Sequence, residues 1–301
     1  MPPADAPPVA AIALLLGEAV TAAQPVGGGC IHSAWSLQLT DGRRLFAKTN
    51  RAPQLPLLEA ECEGLGALAA AAGADLEVPR PLFCGQWEDL ALLVMTWLPL
   101  NGAGETGAWS SLGAGLARLH RRSLESGPGD FGWARDNFIG SGPQCNGWMA
   151  DWGRFFAERR LGEQLAWAKR QGQSFEGSEV LLEQVPQWLA HHAAEPCLVH
   201  GDLWSGNAGV LTGGGGALFD PAVYRADREV DLAMARLFGG FPSSFFAGYE
   251  AEWPLPTAHR VRVDLYNLYH LLNHANLFGG GYGTQAQRRI LALLRNPPVE
   301  A

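Results

Sequence analysis

One segment of the chain carries residue types at the spacing that phosphoryl transfer requires. Residues 200–207, HGDLWSGN, match H-x-D-x-x-x-x-N, the pattern of a kinase catalytic loop. Transfer needs a carboxylate at the acceptor hydroxyl, here Asp202, and an oxygen ligand for Mg²⁺, here Asn207. A second metal carboxylate should follow a short β-hairpin. Residues 210–219 predict that hairpin, which leads into Asp220.

A glycine-rich turn near the N-terminus could bind the phosphates of a nucleotide. Residues 27–33, GGGCIHS, precede a predicted β-hairpin with strands at 35–39 and 45–48. Backbone amides of such a turn can cradle phosphates. The turn departs from G-x-G-x-x-G because His32 stands at the third glycine position, so the turn alone is a weak signal.

A lysine and a glutamate should complete the phosphate site. Lys48 ends the second strand of the hairpin, where a phosphate-binding lysine is expected. The helix predicted at 57–72 carries three glutamates. Glu61 shares the apolar face of that helix, whereas Glu59 and Glu63 point the opposite way, toward solvent. A glutamate on an apolar face is costly unless it is paired, so we expect Glu61 to pair with Lys48.

The places of other residues along the chain predict the remaining contacts with the nucleotide and with the acceptor. Residues 91–98 read as a buried strand whose end would meet adenine through its backbone. The expected nucleotide-binding residues are Gly27, Gly28, Gly29, Cys30, Ser33, Lys48, Glu61, Met95, Thr96, Trp97 and Leu98. Trp204 could stack on a sugar or simply pack. Asn273 and His274, on a late helix, could line the acceptor cleft or serve packing.

The predicted elements separate into two lobes. Besides the hairpin and the helix above, a helix is predicted at 9–23. Later helices are predicted around 109–119 and at 152–169, 179–192, 230–238 and 262–276, with short strands at 197–199 and 217–219. This order predicts an α+β, two-lobed fold, with a small β-rich N-terminal lobe (1–98) and a larger α-helical C-terminal lobe (99–301).

Composition excludes several other classes. Of 301 residues, 47% are hydrophobic and 17% charged, and the net charge of −8 disfavours a nucleic-acid partner. The five cysteines are odd in number and no C-x-x-C occurs, which favours a reducing compartment. No apolar run is long enough to span a bilayer, so we expect a cytoplasmic protein without a membrane partner.

A second glycine motif offers a dinucleotide-binding protein as an alternative. Gly102, Gly104 and Gly107 are spaced as in a dinucleotide-binding fingerprint, between a predicted strand and a helix. The fingerprint also needs an acidic residue at the end of a following strand. Asp130 instead follows a Ser-Gly-Pro-Gly loop, so this alternative is disfavoured.

Taken together, the sequence resembles the fructosamine/ketosamine-3-kinases, relatives of aminoglycoside and choline kinases. The resemblance implies a protein-kinase-like fold. The segments that carry the resemblance are 25–31, 140–144, 200–207, 238–242 and 268–274. The resemblance implies ATP- and Mg²⁺-dependent phosphorylation of the 3-hydroxyl of sugar–amine adducts, free or on proteins. The phosphorylated adduct would be unstable and release the amine, a deglycation repair.

Two departures qualify the resemblance. Thr96 stands where many relatives carry an acidic residue, and residues 224–228 differ from the stretch common in relatives, which could alter substrate preference. Asp231 matches a family aspartate, which we interpret as bracing the catalytic loop through hydrogen bonds.

Cys30 lies in the phosphate-binding turn. We expect its oxidation to lower activity, through a sulfenic acid or a redox-dependent homodimer.

Two other functions stay open at this point. A kinase of another small hydroxyl acceptor, such as an aminoglycoside or an amino alcohol, would share the same residues. A nucleotide-binding pseudokinase is the non-enzymatic alternative, and the intact Lys48, Asp202, Asn207 and Asp220 argue against it.

Overall fold

The N-terminal part of the molecule is a five-stranded antiparallel sheet. The computed structural model describes residue 7 and residues 9–27, 31–74, 76–101 and 106–299. The strand order is β1–β2–β3–β6–β5. The strands are β1 (Val20–Val26), β2 (Ser33–Leu39), β3 (Arg44–Arg51), β5 (Pro81–Trp87) and β6 (Leu90–Thr96), while the short β4 (Leu76–Glu77) lies outside this sheet. The strands predicted at 35–39, 45–48 and 91–98 are confirmed.

The segment predicted as one helix over 9–23 contains two elements instead. Helix α1 (Val9–Leu16) ends at Gly17, whose φ of +68° suits glycine, and β1 begins three residues later. The two edge strands, β1 and β5, were missed. β1 is largely exposed and made of small and polar residues, and β5 contains Pro81 and Gly85, so neither shows the alternation of a half-buried strand.

A long helix packs against one face of the sheet. Helix α2 (Leu55–Ala71) begins with Pro56 in its first turn, where the missing amide hydrogen is not needed. Leu58, Leu65 and Leu68 are fully buried where α2 packs against β5 and β6. The helix predicted at 57–72 is therefore confirmed, and its inward face adjoins the strands that carry the candidate site.

The C-terminal part is mainly helical, which confirms the predicted α+β class. The helices are α3 (Thr106–Ser123), α4 (Trp152–Phe155), α5 (Glu163–Arg170), α6 (Ser178–Trp188), α7 (Glu229–Leu237), α8 (Ser243–Glu252), α9 (His259–Phe278) and α10 (Gly281–Arg295). A π-helical turn, Phe156–Gly162, joins α4 to α5, so the helix predicted at 152–169 is a single run with a local bulge. Helices α8 and α10 were not predicted.

Short strands hold the catalytic loop in the helical part. They are β7 (Asn137–Ile139), β8 (Gly142–Gln144), β9 (Cys197–Val199), β10 (Ala208–Val210), β11 (Gly216–Leu218) and β12 (Tyr224–Ala226). The loop 200–207 runs from β9, which pairs with β12, to β10, which forms the predicted hairpin with β11. Asn101, after the last strand of the sheet, donates its backbone N–H to Val210 O at 2.7 Å and so ties the connection to this hairpin.

Contacts cross between the two parts. One buried apolar cluster combines residues of α2, β6, α3 and α8 with Leu203 and Leu218 beside the catalytic loop. Strand β4 pairs in parallel with β11. The lobe boundary between residues 98 and 99 stays a prediction. No helix in the described part of the chain is long and apolar enough to cross a membrane.

Candidate active site

The catalytic loop requires a glycine at its second residue. Gly201 has a φ of +81°, and a Cβ there would collide with the carbonyl oxygen of Ala222. The chain before β12 passes this close because Ala222 donates its backbone N–H to His200 O at 2.8 Å. The loop and the segment that follows Asp220 are therefore packed backbone to backbone.

A buried aspartate braces the start of the loop. Asp231, in the first turn of α7, accepts the backbone N–H groups of His200 at 2.7 Å and Gly201 at 2.9 Å. Its carboxylate also lies 3.2 Å from His120 Nε2. Burial alone would raise the pKa of Asp231, but the bonds and charges of the two histidines outweigh burial and lower it. The predicted bracing by hydrogen bonds is confirmed.

His200 links the loop to the strand end that carries Asp220. Its Nδ1 accepts the backbone N–H of Asp202 at 3.3 Å, and its Nε2 lies 2.9 Å from Phe219 O. These partners fit a neutral ring protonated at Nε2. Burial lowers the pKa of His200, which keeps the ring neutral.

Asp202 and Asp220 meet around the Asn207 side chain. Asn207 Nδ2 donates to Asp202 O at 3.0 Å, to Asp202 Oδ2 at 3.1 Å and to Asp220 O at 3.3 Å. Burial, and then the negative charge of Asp220, raise the pKa of the Asp202 carboxyl to about 7, against the hydrogen bond from Asn207. The loop thus holds a carboxyl group that can exchange a proton near neutral pH.

Asp220 adopts a backbone conformation that is unusual for a residue with a side chain. Its φ is +56°, in the left-handed region. Such strain persists only where the surroundings fix it. Here the carboxylate lies 2.6 Å from Lys48 Nζ. Burial opposes ionisation, but the Lys48 ammonium holds the pKa of Asp220 below its usual range.

Lys48 connects the sheet, helix α2 and the catalytic loop region. Its Nζ lies 2.7 Å and 2.8 Å from the two carboxylate oxygens of Glu61, which confirms the predicted pair. Both side chains are buried. Burial would lower the pKa of Lys48, but Glu61 and Asp220 raise it, so the lysine stays charged.

The two other glutamates of α2 differ from each other. Glu59 is exposed, as predicted. Glu63 faces solvent only in part, because 34% of its side chain is exposed. Glu63 Oε1 accepts Trp133 Nε1–H at 2.7 Å, and the carboxylate pairs with Arg135. The sequence pattern could not show this contact because its partners lie 70 residues away.

The oxygen atoms at this point suit a hard divalent cation. Asn207 Nδ2 faces three oxygen acceptors, so the amide is oriented with Oδ1 turned away from Asp202. Asp220 supplies a carboxylate, whose Oδ1 lies 2.6 Å from Lys48 Nζ. An amide oxygen and a carboxylate oxygen are the ligands that Mg²⁺ takes. The donor set of Asn207 and Asp220 therefore fits this ion.

The glycine turn is described only at its ends. Gly27 follows β1 and Ser33 starts β2, while Gly28, Gly29 and Cys30 lie outside the described residues. His32, the departure from the glycine pattern, lies close to the site. Burial and the Lys48 charge lower its pKa to about 4. Sequence reasoning noted His32 only as a mismatch and missed its place beside Lys48.

The predicted adenine segment ends strand β6. Met95 is buried, opposite Phe46 and Pro81 in the sheet. Thr96 Oγ1 accepts the backbone N–H of Arg80 at 2.9 Å, so this hydroxyl stabilises the sheet edge.

The next two residues turn toward the C-terminal part. The guanidinium carbon of Arg44 lies over the indole of Trp97, 3.8 Å from the centre of the tryptophan ring. Leu98 accepts a backbone bond from Leu100 at 2.9 Å. The contact of this segment with adenine stays a prediction.

Trp204 is displayed on the catalytic loop. Its side chain is 40% exposed. The indole lies across Gly206, where any Cβ would collide with the ring. The 238–242 segment packs against the same loop. Gly240, whose φ is +95°, lies so close to Ser205 that a Cβ on this glycine would collide with the serine side chain.

The two predicted acceptor residues of α9 lie in different surroundings. His274 is half-buried, with ring centres 4.7 Å from Phe238 and 5.1 Å from Tyr282. Asn273 is only 1% exposed, and its Oδ1 accepts Gln164 Nε2–H at 3.3 Å. Asn273 therefore joins α9 to α5. The geometry supports its packing alternative and not the cleft-lining one.

The sheet, the helical part and the grouped loop residues define a protein-kinase-like phosphotransferase. An aminoglycoside phosphotransferase crystallised with ADP and hygromycin B shares this fold, with a TM-score of 0.64 at 16% identity over 96% of this chain and 98% of that one. A crystal structure from Haemophilus somnus, provisionally described as a fructosamine-3-kinase, has a TM-score of 0.85 at 26% identity over 95% and 96% of the two chains.

Sequence comparisons define the family. The family model described as fructosamine kinase matches residues 9–296. A probable ketoamine kinase of Synechocystis sp. is 46% identical over 90% of this chain and 89% of that protein. The chloroplastic protein-ribulosamine 3-kinase of Arabidopsis thaliana is 37% identical over 92% and 83%. The chain belongs to the fructosamine kinase family.

Proposed function

We propose that the protein is an ATP-dependent kinase that phosphorylates the 3-hydroxyl of ketosamines. The observation that carries this proposal is one connected network of hydrogen bonds, which runs from Glu61 through Lys48, Asp220 and Asn207 to Asp202. Family membership and relatives named ketoamine kinase and protein-ribulosamine 3-kinase support the acceptor class.

Each residue of this group has a distinct role in the proposed reaction. Asp202 orients the acceptor hydroxyl and accepts its proton, which its raised pKa allows near neutral pH. Lys48, held by Glu61, binds nucleotide phosphates. Asn207 and Asp220 hold Mg²⁺, which neutralises charge on the phosphates when bound. Gly27, Gly28, Gly29, Cys30 and Ser33 with the 95–98 segment complete the nucleotide site.

The acceptor binds beside the catalytic loop. The exposed indole of Trp204 offers a flat apolar face to the C–H surface of a sugar. His274, which packs against Phe238, is the second residue assigned to the acceptor. Because phosphate is a better leaving group than hydroxide, the 3-phosphorylated adduct eliminates inorganic phosphate, and water then hydrolyses the resulting imine and releases the amine. The biological role is therefore deglycation of free or protein-bound amines.

Two further predictions accompany this function. A cytoplasmic location agrees with the free thiols of Cys62, Cys84, Cys145 and Cys197. The redox-dependent homodimer through Cys30 stays a prediction, because Cys30 lies outside the described residues.

ATP turnover with a panel of acceptors tests the proposal. The panel contains fructosamine and ribulosamine adducts of lysine, an aminoglycoside and an amino alcohol, each with Mg²⁺. We expect turnover with the sugar–amine adducts only. Turnover confined to the aminoglycoside or the amino alcohol would assign another small-acceptor kinase. ATP binding without turnover on any acceptor would assign a pseudokinase.

A further inference from the structure

Two free cysteines meet between helix α2 and the sheet. Cys62 lies on α2 and Cys84 on β5. Both are half-buried and pack against the same apolar cluster. Cys84 lowers the pKa of Cys62 and Cys62 raises that of Cys84, so the two thiols lie within interaction range. They face each other across the α2–sheet interface although the residues belong to different elements.

The thiol pair lies alongside the Lys48–Glu61 pair. Cys84 is opposite Leu93 in the β5–β6 register, and Leu93 is opposite Lys48 in the β6–β3 register. Residues opposite each other in a sheet project from the same face. Lys48 and Cys84 thus both point toward α2, where they meet the adjacent residues Glu61 and Cys62. These are two neighbouring cross-connections between one helix and one sheet.

We propose that Cys62 and Cys84 are an oxidation site at which a hydroperoxide forms an intramolecular disulfide, and that this disulfide weakens nucleotide binding by displacing Glu61 from Lys48. The inference rests on the proposed role of Lys48 in phosphate binding. It concerns a different thiol pair from the intermolecular bond expected at Cys30.

The chemistry of the step balances with hydrogen peroxide as the oxidant. The Cys62 thiolate attacks the O–O bond, which gives a sulfenic acid and, after proton transfer, one water. The Cys84 sulfur then attacks the sulfenic sulfur and releases a second water. Two thiols and one peroxide thus give one disulfide and two waters. A thiol reductant reverses the change.

The mechanical effect follows from bond length. A disulfide bond, at about 2.05 Å, is much shorter than any contact between unbonded thiols. Its formation draws α2 and β5 together at Cys62 and shifts the neighbouring Glu61. A misplacement of about 1 Å in a binding group can reduce function up to about 10²-fold. The Lys48–Glu61 contacts of 2.7 Å and 2.8 Å do not tolerate such a shift.

The surroundings of the two thiols determine which sulfur attacks the peroxide and how fast the pair is oxidised. Burial raises the pKa of Cys84 to about 12, so this thiol is the hydrogen donor. Burial also raises the pKa of Cys62, but the hydrogen bond from Cys84 lowers it, which makes Cys62 the attacking sulfur. Because the thiolate is the reactive form, we expect the pair to oxidise more slowly than an exposed cysteine.

The test combines a chemical readout with a binding readout that needs no acceptor. Wild type, Cys62→Ser, Cys84→Ser and the control Cys145→Ser are treated with hydrogen peroxide, and monomers are isolated to remove any Cys30-linked dimer. Peptide mapping after blocking of free thiols detects the Cys62–Cys84 link. Titration measures affinity for ATP with Mg²⁺ before and after oxidation, and again after reduction.

We expect the linked peptide in wild type and Cys145→Ser only. In these two proteins oxidation should weaken ATP affinity about 10-fold or more, and reductant should restore it. In Cys62→Ser and Cys84→Ser, oxidation should weaken ATP affinity markedly less. Absence of the linked peptide from wild type overturns the proposal. So does a loss of affinity that is equal in wild type, Cys62→Ser and Cys84→Ser, because it assigns the effect to another thiol such as Cys30.

Two further arrangements keep the test decisive. If a serine variant does not fold, the corresponding alanine variant replaces it, since alanine suits the apolar cluster. If ATP binds but no acceptor is phosphorylated, the proposed function fails while the disulfide and its effect on affinity are still measured. A linked peptide with unchanged ATP affinity overturns the coupling to Glu61.

Discussion

Asp202 shows how a single carboxyl group can serve chemistry at the expense of folding. Burial and the Asp220 charge raise its pKa to about 7. A raised carboxyl pKa disfavours the ionised group in the folded state, so this penalty is absent below the unfolded pKa of about 4 and complete above about pH 7. In protein without metal or nucleotide, Asp202→Asn should therefore unfold at a higher temperature than wild type near pH 8.

The same comparison near pH 4 provides the control, because both proteins then carry a neutral side chain at position 202. We expect the two unfolding temperatures, followed by circular dichroism, to converge there. An equal difference at both pH values would show that charge at Asp202 does not cause the effect. Turnover of the variant should fall by about 10²–10⁴-fold, the usual contribution of a positioned acid–base group.

Gly206 determines where the Trp204 indole lies. A Cβ at this position would collide with the ring, which is partly exposed and free to move outward. We expect Gly206→Ala to raise KM for the ketosamine several-fold with little change in KM for ATP, and the unfolding temperature should stay near wild type. Gly213→Ala, at a position with open space in the hairpin turn, is the matched control. Equal effects on both substrates would argue against a contact between Trp204 and the acceptor.

At the scale of elements, helix α7 supports the catalytic loop through one residue. Asp231 accepts two backbone N–H groups of the loop from a buried position. Hydrogen bonds to charged groups contribute about 1.5–3 kcal/mol each. Asp231→Asn should lower the free energy of unfolding by about 1.5–3 kcal/mol at neutral pH. Asp89→Asn, at an exposed position, should change the free energy of unfolding little.

The pH dependence of that loss has a definite sign. The folded-state pKa of Asp231 is depressed, so its contribution is complete above the unfolded pKa and disappears as pH falls through the folded pKa. Urea unfolding of wild type and Asp231→Asn should therefore differ most at neutral pH and converge in acid. A gap that widens in acid would contradict this assignment of charge.

Helices α3 and α8 approach each other through two glycines. A Cβ on Gly113 would overlap the carbonyl oxygen of Phe245, and one on Gly248 would overlap that of Ser110. Backbone atoms cannot yield as side chains do, so Gly113→Ala should lower the free energy of unfolding by about 2 kcal/mol or more. Gly107→Ala, in open space on α3, should instead stabilise by about 0.5–1 kcal/mol. Chemical denaturation measures both, and a neutral Gly113→Ala would refute the close approach.

At the scale of the molecule, the elements predicted from sequence are those with strong periodicity or a dense motif. The central strands β2, β3 and β6 and helices α2 and α9 carry buried apolar residues at regular spacing. The edge strands and helix α8 do not, because edge strands are half exposed and α8 packs through small residues against α3. Their existence depends on tertiary partners that a local pattern does not contain.

The candidate site shows the same division. The pairing of Lys48 with Glu61 followed from helical geometry, since only one glutamate shares the apolar face. The contact of Glu63 with Trp133, the place of His32 beside Lys48 and the burial of Asn273 did not follow. The contacts of Glu63 and Asn273 depend on chain segments distant in sequence, and the place of His32 depends on the register of the β2–β3 hairpin, so residue type and spacing could not reveal them.

Phosphate transfer to one defined hydroxyl tests the account most directly. A ribulosamine or fructosamine adduct of lysine, ATP and Mg²⁺ are incubated with wild type and with Asp202→Ala, and phosphorus NMR with mass spectrometry identifies the product. We expect a 3-phosphorylated ketosamine from wild type and, with the variant folded as wild type, a rate lower by about 10²–10⁴-fold. Phosphate on a different hydroxyl, no product from wild type, or equal rates for the two proteins would contradict the proposed reaction and the role of Asp202.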